Sequence, residues 1–335
     1  MRAVVYREVG PSSVLSLVDR DDPVAGAGEV VVRLERAGVN PTDWKFRAGM
    51  MTGYAEVVPG QDGAGVVAAV GPGVDSVAVG DRVWLVLAQH GRAYGTAAEL
   101  TVQPASRVTP LPDAGDFDLG ASLGVPAVTA HRALTSDDRA RRLGPGTLDG
   151  MTVLVAGGAG AVGNAAIQLA VWSGATVVTT VSSARKAELA RAAGAHHVVD
   201  YRQEDAAARI SEIAGGGVDL VVEVAPAQNL ALDLAVLANG GTIAFYANNG
   251  GDAAMLPVRP SFAKNVRLQG VLLYTLSLEQ LAVAASDVTT AVAAGALRVG
   301  EAAGLPLHHY PLEQTAAAHD AVEQGAVGKV LIDVR

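Results

Sequence analysis

Thr152-Val153-Leu154-Val155-Ala156-Gly157-Gly158-Ala159-Gly160-Ala161-Val162-Gly163 is the stretch that decides the fold. Its first five residues read as a buried strand. Gly157, Gly160 and Gly163 then recur at every third position, and the Ala-rich run from Ala161 to Ser173 reads as a helix. A strand that feeds a helix through closely spaced glycines turns tightly and lets a pyrophosphate approach the backbone. It also presents helix N–H groups to that anion. Outside a strand–turn–helix context such a triplet would be weak evidence; here the context is present.

Working outward, strand-like and helix-like segments alternate on the C-terminal side. Thr176–Val181, His197–Val199, Val218–Val224, Thr242–Tyr246 and Val266–Tyr274 read as strands, and Ala184–Ala193 and Asn229–Ala238 as helices. Gly174, Gly194 and Gly240 sit at helix stops. Apolar strands alternating with helices imply a parallel sheet covered on both faces. On the N-terminal side the rhythm differs. Val30–Leu34, Ala64–Val70, Asp81–Leu87 and Ala97–Val102 read as strands, punctuated by Gly71-Pro72-Gly73 and Gly80-Asp81, with few helices. The expected organisation is an α/β chain. A β domain spans 1–124 and is completed by 276–335, where a helix from Ser277 to Ala294 precedes a terminal strand Lys329–Val334. A doubly wound parallel-sheet domain spans 125–275.

Composition narrows the function classes. The chain has 335 residues, 50% of them hydrophobic, with 39 glycines and a net charge of −9. That balance disfavours nucleic acid as the main partner. There is no cysteine, which removes disulfides, thiolate nucleophiles and Cys-ligated zinc together. The seven histidines form no ligand set: His196-His197 and His308-His309 are adjacent pairs, and His319 lies in a helical stretch, expected at the surface. With no long apolar run and no signal-like N-terminus, a cytoplasmic protein without a membrane partner is expected.

The cofactor follows from the end of the second strand. Thr179-Thr180-Val181-Ser182-Ser183 carries no carboxylate for ribose hydroxyls, whereas Arg185 and Lys186 follow at once and Tyr201 comes after the third strand. Ser182 and the two cations suit a 2′-phosphate, so NADPH is expected over NADH. The cofactor set is therefore Gly157, Ala159, Gly160, Ala161, Val162 and Gly163 in the turn, with Ser182, Arg185, Lys186 and Tyr201. Ligands of open parallel sheets lie beyond the strand carboxyl ends. That adds Ala225, Tyr246, Ala247, Asn248, Asn249, Leu272 and Leu273 for the nicotinamide end. Asn248 and Asn249 read equally as turn residues before Gly250-Gly251.

Ala37-Gly38-Val39-Asn40-Pro41-Thr42-Asp43, Pro59-Gly60-Gln61-Asp62-Gly63-Ala64-Gly65, Gly124-Val125-Pro126-Ala127-Val128-Thr129-Ala130, Asn239-Gly240-Gly241-Thr242 and Gly328-Lys329-Val330 occur in that order around the glycine turn. Together they resemble the medium-chain dehydrogenase/reductase superfamily, and within it the zinc-free quinone oxidoreductase branch that includes zeta-crystallin. The resemblance implies a GroES-like β domain beside a Rossmann domain, an active cleft at their junction, and a homodimer or higher oligomer formed by edge-strand pairing. In zinc-dependent relatives a Cys ligand falls where Asn40 stands and a His ligand where Gln61 stands, so no catalytic metal is expected. The implied activity is hydride transfer from NADPH to a small-molecule quinone or other α,β-unsaturated carbonyl acceptor. An enoyl reductase and a non-catalytic, crystallin-like NADPH-binding protein are the alternatives. Asn40 is implied as the polar group at nicotinamide and substrate, and Thr129 as a carboxamide partner. Lys45 departs from the family, which often has Tyr there. Tyr54 is expected, with Tyr246 and Tyr274, to wall the pocket.

Overall fold

The computed structural model of the protein describes residues 1–50, 53–139 and 141–335. Two compact units emerge, one of Met1–Val125 with Pro306–Arg335, the other of Pro126–Leu305.

In the second unit six strands form one parallel sheet. Its spatial order is His197–Asp200, Thr176–Val181, Thr152–Ala156, Val218–Glu223, Leu237–Phe245 and Arg267–Gly270. Numbered along the chain this is 3-2-1-4-5-6, the doubly wound order whose direction reverses between the first and fourth strands. The strand interiors are buried on both faces: Val153, Leu154 and Val155, like Val177 and Val178, are essentially inaccessible. Such strands read as unbroken apolar runs rather than alternating ones, as the sequence does.

The glycine turn opens onto the helix Ala161–Trp172. The expected strand 266–274 is shorter than its apolar run. Its ladder against Leu237–Phe245 ends where Gly270 pairs with Phe245, the last residue of the partner. Leu273–Thr275 then coils into a 3₁₀ turn that buries Leu273. The helix Leu278–Ala293 stays with this unit. Asp287 on it accepts from Nε of Arg142 and the backbone N–H of Leu143, and pairs with the ring of His131. The chain therefore returns to the first unit at Pro306 rather than near 276.

In the first unit the strand Glu29–Val39 is the spine of a mainly antiparallel sheet. It is flanked by Asp62–Val70 on one side and by Lys329–Asp333 on the other, and Leu100–Pro104 pairs with its first half. Val30, Val32, Leu34, Val67, Val83, Leu85, Val330 and Ile332 form its core. The expected strand 81–87 closes early, at Leu85, and Leu87 takes a positive φ of 53°. His319 is not at the surface. The helix Thr315–Glu323 turns its Thr315, Ala318 and His319 face inward, and burial drives the imidazole pKa down to about 3. None of the helices formed by the described residues is long and apolar enough to cross a membrane.

Candidate active site

The glycine turn is shaped by the absence of side chains. Gly157 takes φ +71°, a region that costs other L-residues energy. Its N–H donates to the Thr180 carbonyl at 3.1 Å. A Cβ on Gly163 would stand 2.4 Å from the Gly157 carbonyl oxygen, and one on Gly158 would stand 2.2 Å from Oγ1 of Thr179. The helix thus packs against its own entry turn at a distance only glycine allows. Gly160 is its N-cap and contributes no side-chain cap, and the first turn holds no acidic residue. The free N–H groups and the positive end of the helix dipole are left for an external anion. Ala159 is buried beneath the turn, while Ala161 and Val162 are half-buried in the first helical turn.

Beyond the neighbouring strand, Nζ of Lys186 donates to Oγ of Ser182 at 3.2 Å, so cation and hydroxyl sit together. Ser183 is a helix cap, its Oγ accepting from the Lys186 N–H at 3.4 Å. Arg185 is exposed and paired with two carboxylates, Glu188 at 3.3 Å and Glu301. Tyr201 follows the strand His197–Asp200 and is exposed.

Across the switch point the next two strands end side by side. The Tyr246 N–H donates to the Glu223 carbonyl at 3.1 Å and the Asn249 N–H to the Val224 carbonyl at 3.3 Å. This brings Ala225 together with Tyr246, Ala247, Asn248 and Asn249. The side-chain amide of Asn248 donates to Asp252 at 2.5 Å, the turn role the sequence allowed. Below them lies a pair of buried acids. The Glu223 carboxylate accepts from Nδ2 of Asn229 at 3.1 Å and from the Ala225 N–H. Burial, with the Glu223 charge second, raises the pKa of Asp233, and burial raises that of Glu223, so the two carboxyls favour sharing a proton between them. Burial and the Glu223 charge also raise the pKa of the Tyr246 phenol. Leu273 is buried, whereas Leu272 is 54% exposed. Thr129 is buried within the helix Gly124–Leu134.

The first unit holds a second polar constellation. Asn40 is the N-cap of the short helix Pro41–Lys45, its backbone N–H donating to Oδ2 of Asp43 at 2.7 Å. Its side chain is buried and doubly engaged. Nδ2 donates to Oδ2 of Asp62 at 2.8 Å, and Oδ1 accepts from Nζ of Lys329 at 2.7 Å. Lys329 also pairs with Asp62 at 3.2 Å. Asp43 is buried beside this cluster, with the Lys329 charge only partly offsetting its burial. Burial, then the charge of Asp62, lifts it to about 7. Lys45 is half-buried with its Nζ 5.9 Å from the Trp44 ring centroid, and Tyr54 is 41% exposed.

Asp43, Asp62 and Lys329 are site residues that the motifs alone do not single out, although all three lie inside them. The one local signal was a lysine heading an otherwise apolar strand, Lys329-Val330-Leu331-Ile332.

Known proteins match both units. Residues 26–113 fit the family described as alcohol dehydrogenase GroES-like domain, and residues 161–288 the family described as zinc-binding dehydrogenase. A quinone oxidoreductase of Rattus norvegicus is 31% identical over 99% of this chain and 97% of its own. The chain belongs to the medium-chain dehydrogenase/reductase superfamily, in its quinone oxidoreductase branch. A superfamily member named 2-haloacrylate reductase, from Burkholderia sp, is 32% identical over 95% of this chain and 94% of its own. A mycobacterial protein solved as a complex with NADPH is 34% identical, with a TM-score of 0.82 and 99% coverage of both chains. The second family's description raises zinc. At the two positions where zinc-dependent members of the superfamily carry Cys and His, this chain has the amides Asn40 and Gln61. Among the described residues no group of three or more His, Cys, Asp or Glu is placed to hold a metal.

Proposed function

We propose that this chain is a zinc-independent oxidoreductase that transfers hydride from NADPH to a quinone or another α,β-unsaturated carbonyl compound. The observation that carries the reading is the side-chain-free turn Gly157–Gly163 beside the Lys186–Ser182 pair: a pyrophosphate cradle next to a phosphate-binding cation. Its cofactor is NADPH. The turn N–H groups hold the diphosphate, and Ser182 and Lys186 hold the 2′-phosphate. Tyr201 flanks it, and Arg185 stands beside it but engaged by Glu188 and Glu301. Ala225, Tyr246, Ala247, Asn248, Asn249, Leu272 and Leu273 line the nicotinamide end, with Thr129 as a carboxamide partner. When bound, the dihydronicotinamide supplies the hydride; this chain's residues bind it, orient it and exclude water.

Asn40 donates its remaining side-chain N–H to the acceptor carbonyl, polarising it without a metal. Lys45 and Tyr54 complete the acceptor surroundings. The first unit does not suit zinc: amides stand in for the Cys and His, and the Lys329 ammonium already lies within hydrogen-bond reach of Asn40 and Asp62. The similarity to a 2-haloacrylate reductase favours a conjugated carbon–carbon double bond as a second type of acceptor. The edge strand Arg267–Gly270, with Phe262 and Leu268 exposed nearby, is the surface for pairing into a homodimer in the cytoplasm.

The test follows NADPH consumption against a benzoquinone, an enone and an enoyl thioester, with and without EDTA. Turnover with the first two that is unaffected by EDTA is expected. Activity lost to EDTA and restored by zinc overturns metal independence, and absence of turnover with every acceptor leaves only a cofactor-binding protein.

A further inference from the structure

We infer that the buried Lys329–Asp62 ion pair is a positioning device that locks the Asn40 carboxamide in one of its two flip states, so that its spare N–H points in a single direction. The inference rests on the role of Asn40 proposed above. A carboxamide has a donor end and an acceptor end that exchange when it flips. An ammonium only donates, and an ionised carboxylate only accepts; burial raises the Asp62 pKa, and the Lys329 ammonium 3.2 Å away, with the N–H groups of Asn40 and Val125, opposes that rise and favours the accepting form. With Lys329 on the oxygen side at 2.7 Å and Asp62 on the nitrogen side at 2.8 Å, only one orientation makes both bonds. The flipped amide would set NH₂ against an ammonium and a carbonyl against a carboxylate.

Each partner is itself fixed. The other Asp62 oxygen accepts from the Val125 N–H at 2.7 Å. Strand pairing sets Val330 opposite Val39, which brings Lys329 alongside Asn40, and sets Asp62 opposite Gly38 on the other side of the same strand. The Lys329 side chain runs over Gly38, where a Cβ would stand 2.9 Å from its Cε. From below, Asp43 anchors the Asn40 backbone N–H. Asn40 is thus held at its backbone and at both ends of its side chain. One N–H is left over, because Nδ2 carries two and spends one on Asp62.

Lys329→Met alone would strand a buried carboxylate and threaten folding. The test therefore uses the charge-neutral pair Asp62→Asn with Lys329→Met, compared with Asn40→Ala and with the triple variant. NADPH affinity is read by fluorescence titration and turnover with a soluble benzoquinone. The paired variant is expected to bind NADPH within about threefold of wild type, because the binding motifs lie in the other unit. Its kcat should fall about 10–100-fold, the scale of a misplaced polar group. Adding Asn40→Ala to it should cost nothing further, since both changes disable one element. A merely structural pair would instead give losses that multiply, and that result overturns the inference. A full-rate paired variant beside a slowed Asn40→Ala sinks the inference alone. An unchanged kcat in Asn40→Ala sinks the reading of Asn40 and the inference with it.

Discussion

The glycine turn of the second unit and the Asn40–Asp62–Lys329 cluster of the first are built in opposite ways. The turn is made of backbone. Its residues are neighbours in sequence, its shape comes from side chains that are missing, and its donors are main-chain N–H groups at a helix start. The cluster is made of side chains. Asn40 and Lys329 lie 289 positions apart, and their charges and hydrogen bonds are satisfied only when three strands align. A site of the first kind tolerates almost any side-chain change except an added Cβ. A site of the second kind tolerates neither the loss of one partner nor a change in the register that brings the partners together.

The sharpest way to break this contrast is Gly163→Val. The new side chain would collide with the Gly157 carbonyl, where even a Cβ stands at 2.4 Å. NADPH affinity should fall by about 100-fold or more, with a destabilisation of roughly 1–3 kcal/mol from overpacking. Isothermal titration beside a thermal melt reads both, and wild-type affinity would show that the turn does not bind through its backbone.

A smaller effect is expected at the Lys186–Ser182 pair beside the turn. Lys186→Ala should weaken NADPH by about 10–100-fold, the worth of a charge-assisted hydrogen bond, and leave NADH nearly unchanged. Arg185→Ala should change either affinity by less than about threefold, since its guanidinium is exposed and already shared between Glu188 and Glu301. Equal losses for the two variants would show that Arg185 leaves those carboxylates to bind phosphate.

Asp43 titrates near 7 in the folded chain because burial, then Asp62, disfavours its charge. An unfolded Asp titrates at about 3.9, so the folded state holds the proton more tightly. Its contribution to stability is complete below about pH 3.9 and is lost as pH rises to about 7. Asp43→Asn removes that slope. Relative to wild type it should gain stability progressively between about pH 4 and 7, by up to a few kcal/mol, and no further above. Urea midpoints across that range check the sign, and a constant difference between the two proteins would mean that Asp43 titrates normally.

How much was legible follows from the same physics. The strands Thr152–Ala156 and Thr176–Val181 and the helix Ala161–Trp172 stand where the apolar runs and glycines put them, because periodicity and turn chemistry act over a few residues. The strand after Val266 was read too long, because apolar character does not say where a neighbour's ladder ends. His319 was misplaced because a single polar residue on a short helix does not reveal which face the rest of the chain covers. In the candidate site the cofactor turn was visible as a motif. Asn40 was named, but the company it keeps was not, since that depends on register.

What the sequence determined alone is whatever a dozen adjacent residues can encode: a parallel-sheet unit, a turn open to a pyrophosphate, a cation in place of a carboxylate at the second strand, and no cysteine for a metal. What only the tertiary structure decided is which charges meet. Strand pairing across the spine Glu29–Val39 carries an ammonium from the far end of the chain to one side of a buried amide and a carboxylate to the other. A one-residue slip in either pairing would turn those side chains to the opposite face, so the chemistry there belongs to the register and not to any local pattern.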